Sequence, residues 1–199
     1  MGRPRVLGAA VTARAKRHDN RTSHGGGPGG GPGGGPGDGH GEGPATPATT
    51  ALDRAGLPYV RHTYAHDPAA PSFGLEAAAL LGVPAERVFK TLLVDTGSGL
   101  AVGVVPVTGE LSLKAMAAAL GVKAVSMADP TKAQRSTGYV IGGISPLGQK
   151  RSLPTVLDES AVGHPTIYVS GGRRGFDLEL APGDLVAITG ATRAMIARP

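Results

Sequence analysis

Residues 25–43 are built almost entirely from glycine and proline, in a GGGP-type repeat with hardly a side chain that could be buried. Ordering such a tract costs backbone entropy that no core can offset. The tract is therefore expected to be a flexible linker, and whatever folds must be made from the residues that follow it. No strand precedes the glycines and no helix opens within them, so they do not suit a phosphate-binding loop. The stretch before them carries Arg14, Lys16 and Arg17. Residues 1–44 are read as a disordered, basic, Gly/Pro-rich tail, with a weak basic arm as the functional alternative.

The tail also distorts the overall charge. It holds +3 of the formal net charge of +5, leaving 14 basic and 12 acidic residues in the remaining 155. A nearly neutral fold argues against a large basic surface for nucleic acid, whatever the isoelectric point of the whole chain suggests. There is no cysteine and no tryptophan. Disulfides, thiolate metal sites and a protein thiol nucleophile are thus excluded. No stretch approaches the roughly 20 apolar residues of a membrane span, and the first residues lack a signal-peptide core. A soluble, cytoplasmic protein with no membrane association is expected.

Residues 45–199 read as one domain, large enough to bury around two thirds of its unfolded surface. Thr46-Pro47 and Gly56 bracket a helix over residues 47–55. Residues 59–64 alternate as a strand, and residues 75–81 form a short helix ended by Gly82 and Pro84. Residues 88–95 and 100–107 are strands joined at the turn 96–99, a hairpin by turn chemistry. Ser112 caps a helix to Leu120, and Asp129-Pro130 opens another to about Ser136. Strands follow at 154–158, 166–170 and 176–180, the last two linked by the tight loop 171–175. Residues 184–189 close the chain as a helix or turn. The fold class is mixed α/β: a single domain with a largely antiparallel central sheet or partial barrel, flanked by short helices.

Two segments carry chemistry. Glycines interspersed with β-branched residues in Gly138–Lys150 and again in Ser170–Asp177 leave main-chain N–H groups uncovered and suit an anionic oxygen. Upstream, Lys90 and Thr91 interrupt an apolar strand. From spacing alone Lys90 is favoured as a solvent-facing lysine, with Phe89 on the opposite face. The segment before it lacks the glycine of a nucleotide-binding P-loop. Ser145 and Ser170 both fall outside the Gly-x-Ser-x-Gly nucleophile pattern. Ser170 is balanced between a turn-initiating serine and a hydrogen-bond donor at a strand end. Asp177 follows Arg173 and Arg174, so a surface ion pair is the plain expectation and recognition of an ammonium group the sharper one. Tyr64 and Phe73 are core residues by default and pocket residues by alternative. His62 and His66 lie on a strand running into Asp67-Pro68, where residues four apart do not converge on a metal. Structural or surface roles are expected for both.

Taken together, His62–Pro68, Val88–Val94, Met127–Pro130, Gln134–Tyr139, Gly142–Lys150 and Tyr168–Asp177 resemble the bacterial Cys-tRNA(Pro) deacylases of the YbaK group. These belong to the editing domains related to the insertion domain of prolyl-tRNA synthetases. The resemblance spans essentially residues 45–199. It implies a free-standing editing enzyme in which the substrate's own thiol attacks the ester carbonyl and leaves as a thiolactone, with no metal and no cofactor. Such a second sieve is needed because an apolar pocket rejects a near-isostere by only about 10–200-fold. By the resemblance, Lys90 holds the tRNA 3′ end, with Thr91 beside it. Gly142 and Gly143 supply amides to the developing oxyanion. Tyr64, Phe73, Ser170 and Asp177 orient the aminoacyl group. The implied partners are aminoacylated tRNA(Pro) and prolyl-tRNA synthetase, whose recruitment of the enzyme would fit the near-neutral domain. A related deacylase for Ala-tRNA(Pro), and a non-catalytic module that binds aminoacyl-tRNA or a synthetase, are the alternatives.

Overall fold

The computed structural model describes residues 43–199. The tail expected over residues 1–44 lies outside the described residues except for its last two. Gly43 already meets the domain, its carbonyl accepting from Arg61 at 3.5 Å.

Helix α1 (Pro47–Ala55) begins and ends where its punctuation dictates. Thr46 and Thr49 cap each other reciprocally, and Gly56 closes the helix in the left-handed region with φ 63°. Strand β1 (Val60–Thr63) leads through a loop to α2 (Phe73–Leu81), one turn of 3-10 helix, and the hairpin β2 (Val88–Asp95) and β3 (Leu100–Pro106). Next come β4 (Glu110–Leu111), α3 (Leu113–Ala119), β5 (Ser126–Met127), α4 (Pro130–Thr137) and β6 (Thr155–Asp158). The chain closes with β7 (Ile167–Arg173), β8 (Phe176–Leu180), α5 (Pro182–Thr189), β9 (Thr192–Ala194) and β10 (Ala197–Arg198).

The main sheet runs β1-β8-β7-β2-β3-β6-β9, with β5 also on β2, and β10 pairs with β4 separately. It is mostly antiparallel, yet β2·β7, β3·β6 and β6·β9 are parallel. Because its order ends at β1 and β9, the sheet is open rather than closed into a barrel. Both faces are covered. Along β2, Phe89 and Leu93 join the larger core beneath α1, α4 and α5, whereas Val88 packs with α2 and Val94 with α3. The period of two along the strand produces this division.

Most boundaries fall within a residue of expectation, and three differ by more. Helix α2 starts at Phe73 rather than Leu75, because the Ser72 hydroxyl accepts from Leu75 N–H and caps it. Strand β7 continues to Arg173 through an irregular register between Ser170 and Arg173, so the turn is shorter than the loop read from its glycines. Helix α5 takes in Pro182 at its first turn. The short strands β4, β5, β9 and β10 were not anticipated, since two or three residues carry no periodicity. Among the described residues no helix is long and apolar enough to cross a membrane.

Candidate active site

The register of the sheet builds the site. Val88 and Phe89 pair in parallel with Tyr168 and Val169, so Lys90 and Ser170 stand side by side where that ladder ends. Ser170 in turn faces Asp177 across β7 and β8. Beyond the ladder, residues 90–93 of β2 have no strand on that side until β5 pairs with Val94 and Asp95. Val107 N–H donates to Val88 C=O, so alternation along the antiparallel ladder turns the Thr91 main chain away from β3 and into this gap.

A cavity of about 400 Å³ fills the gap. Tyr64, Phe73, Lys90, Thr91, Gly142, Ser170 and Asp177 all line it. Apart from Ser72 its remaining wall is apolar, including Leu92, Met127, Ala128, Ile141 and Ile144. These apolar residues were not singled out in the sequence, where they are indistinguishable from core. Gly74 is another omission. A Cβ there would lie 2.2 Å from Val107 Cγ1, so its absence lets the first turn of α2 settle against the sheet and carry Phe73 to the cavity.

The expectation of a surface ion pair at Asp177 is not met. The residue is only 6 % exposed and forms no salt bridge among the described residues. Burial raises its carboxyl from 3.8 to about 7. Burial likewise pushes the Tyr64 hydroxyl upward, with the neighbouring charges of Asp177 and Glu76 adding to it. Tyr64 is therefore a neutral donor facing a carboxyl that is readily ionised by a cationic ligand. Lys90 is half-buried on the cavity wall instead of facing open solvent. The Thr91 hydroxyl is buried with no partner. Ser170 Oγ accepts from Gly172 N–H at 3.3 Å, which leaves its own proton free to donate.

The two glycines of the loop separate in role. Gly142 lines the cavity with φ 83°, and a Cβ there would approach the Phe73 ring to 3.1 Å. No partner for its amide is found among the described residues. The Gly143 amide, by contrast, donates to Val140 C=O at 3.0 Å, and Gly143 does not line the cavity. Of the two amides expected at an oxyanion, only that of Gly142 is both at the cavity and without a partner among the described residues. Gly143 is needed for close packing, since a Cβ would sit 2.8 Å from Arg173 Cα.

Arg174 braces two of the lining residues, Ile141 and Phe73. Its Nε and Nη2 donate to Ile141 C=O at 3.0 and 2.9 Å, and its guanidinium lies 5.3 Å from the Phe73 ring centre. The residue thus ties the loop to the first turn of α2. His62 and His66 pair with Glu179 at 3.0 Å and Glu76 at 2.7 Å, and neither lines the cavity. Ser145 is fully buried and accepts from Leu147 N–H. Among the described residues no group of three or more His, Asp or Glu converges to hold a metal.

Comparison with known proteins identifies the family. The profile of a family described as aminoacyl-tRNA editing domain matches residues 67–188. A protein of Enterococcus faecalis, provisionally named the Cys-tRNA(Pro)/Cys-tRNA(Cys) deacylase EbsC, is 42% identical over 120 residues, which cover 60% of this chain and 73% of that protein. A crystal structure provisionally described as a trans-editing enzyme for prolyl-tRNA synthetase superposes with a TM-score of 0.67 at 28% identity, covering 77% of this chain and 96% of the other. A second solved protein, without an assigned function, gives 0.69 at 28% identity over 77% of this chain and 100% of its own length. The chain belongs to the aminoacyl-tRNA editing domain family, in its YbaK/EbsC group.

Proposed function

We propose that the protein is a deacylase that removes cysteine from mischarged Cys-tRNA(Pro). The observation that carries this reading is one cavity in which a cation, a buried carboxyl and an unpaired main-chain amide converge, with no cysteine to attack the ester and no histidine in the lining to activate a hydroxyl. In this arrangement Lys90 faces the phosphates next to the terminal adenosine. Asp177 meets the α-ammonium of the aminoacyl group, and an incoming cation shifts its carboxyl towards the ionised form. Ser170 and Tyr64 donate hydrogen bonds around it. The unpaired Thr91 main chain and hydroxyl provide further anchors at the strand edge.

The bond change uses the substrate's thiol. Its sulfur attacks the ester carbonyl carbon, the carbon–oxygen bond to the ribose breaks, and the thiol proton passes to the departing ribose oxygen. The products are free tRNA and a cyclic thiolactone. The Gly142 N–H donates to the oxygen that becomes negative in the tetrahedral intermediate, a contact of the kind worth roughly 3 kcal/mol. Enclosure in an apolar wall strengthens each of these interactions. Delivery by prolyl-tRNA synthetase is the companion proposal, since mischarged tRNA leaves that enzyme.

The test compares cysteine, serine and alanine esterified to the same tRNA. Rapid release of cysteine with little release of the other two is the expected result. Equal rates on all three would refute thiol participation.

A further inference from the structure

The near-neutral total of the folded part conceals a segregation of charge. Between Asp129 and Asp158 the chain carries Lys132, Arg135, Lys150 and Arg151 and not one carboxylate. The fold gathers the last three of these at the loop that walls the cavity. The loop leaves α4 at Gly138 and returns to it, Lys150 N–H donating to Thr137 C=O at 2.9 Å. A Cβ on Gly138 would lie 3.5 Å from Lys150 Cβ. Arg135, in the last turn of α4, thus stands with Lys150 and Arg151 at the base of the loop. Arg173 and Arg174 sit against its tip, through the close approach of Gly143 to Arg173 and the bonds from Arg174 to Ile141.

All five cations are exposed, and none forms an ion pair with a carboxylate among the described residues. Lys132 differs, being held by Asp95 at 2.5 Å. Elsewhere on the described surface arginines are often neutralised, as Arg61 is by Asp53, Arg87 by Glu179 and Arg198 by Glu110. Unpaired cations crowded on one wall repel one another, a cost that a polyanion laid across them would remove.

We infer that Arg135, Lys150, Arg151 and Arg173 form a collar for the sugar–phosphate backbone of the RNA arm whose end enters the cavity. Arg174 joins the collar to the loop through its bonds to Ile141. The inference rests on the deacylase reading for which RNA it is, while the collar itself is tested by binding alone. Contacts of this kind carry little sequence information and set register and orientation. They would let a domain of small net charge hold RNA from one side only.

The test uses the full chain and a fluorescent RNA hairpin ending in single-stranded CCA, with anisotropy followed from 50 to 200 mM KCl. Each phosphate contact contributes about −0.7 to −0.9 to the slope of log K against log salt. The triple variant Arg135→Ala, Lys150→Ala, Arg151→Ala is expected to lower that slope by about two to three. Over this salt range the parent then loses roughly 20–40-fold more affinity than the variant. Arg193→Ala, on the far edge strand β9, should leave the slope unchanged. A second triple variant, Arg135→Lys, Lys150→Arg, Arg151→Lys, should restore it, because the contacts depend on charge rather than shape. In deacylation the alanine variant should raise KM and keep kcat. Equal slopes and affinities for the parent and the alanine variant would overturn the collar, as would absence of binding by the parent. Binding with the expected slopes but no deacylation by the parent would sink the deacylase reading and leave the collar standing.

Discussion

Replacing Asp177 by asparagine should stabilise the protein at alkaline pH while crippling its chemistry. The carboxyl is buried and its value is raised from 3.8 to about 7. Between those two values the folded state retains a proton that the unfolded state has released. Stability contributed at this group therefore falls as pH rises from about 4 to 7 and levels off above. At about 1.36 kcal/mol for each unit of difference, the penalty at pH 8 is at most about 4 kcal/mol, of which about 2–3 kcal/mol accrues between pH 5 and 8. Water in the cavity solvates the carboxylate and lowers that ceiling. Asparagine keeps the shape without the charge. The advantage of Asp177→Asn over the parent should therefore grow by roughly 5–10 °C in thermal midpoint from pH 5 to pH 8, at about 2–4 °C per kcal/mol for a domain of this size. Urea titrations at the two pH values supply the same difference as a free energy. Deacylation should fall sharply, since a neutral amide cannot balance the substrate's ammonium. A variant no more stable than the parent at pH 8, or with the same advantage at both values, would refute the argument from burial.

Gly143→Ala should destabilise the fold by about 1–3 kcal/mol, because its Cβ would stand 2.8–3.0 Å from Arg173 and Arg174 main-chain atoms that cannot swing aside; urea denaturation reads the change. At Gly142, alanine meets φ 83° and the Phe73 ring, so the expected outcome is loss of deacylation together with about 1–2 kcal/mol of strain, measured by parallel kinetics and melting. Asp158 tests the C-terminus. Burial pulls its carboxyl upward, but bonds from Ser160, Ala197 and Ile196 outweigh it and hold the group below its usual value. Its stabilisation is present above the ordinary carboxylate value and is lost as pH falls through the lowered one, so acid should loosen the β4–β10 ribbon first. Asp158→Asn should cost about 2–3 kcal/mol at pH 7, with amide exchange at Ile196 and Ala197 speeding up most.

Much of the fold was legible because local signals and tertiary context agree. Thr46-Pro47, Ser112 and Asp129-Pro130 announce helix starts, and the positive-φ glycines at 56, 82 and 138 announce ends. Apolar runs on either side of the turn at 96–99 marked β2 and β3. The parallel pairing of β2 with β7 is different in kind, since it joins residues about 80 positions apart and leaves no trace in either segment. That junction decides which side chains share a face. It places Lys90 beside Ser170 and buries Asp177, so a lysine and an aspartate that each looked like surface residues become cavity residues. The residues assigned from family likeness do reach one cavity, with Gly143 the exception. Its glycine is required by contact with the Arg173 backbone, a demand that sequence cannot distinguish from the need for an open amide. The collar escaped notice for a related reason, since net charge says nothing about where charges sit.

The most direct measurement is release of labelled cysteine from Cys-tRNA(Pro) by the full chain, with Lys90→Ala assayed beside it and binding of both to the same tRNA recorded. Release by the parent that is lost in the variant, without unfolding, is the predicted result. No release by the parent while binding persists would contradict the account and leave a module that holds aminoacyl-tRNA without cleaving it.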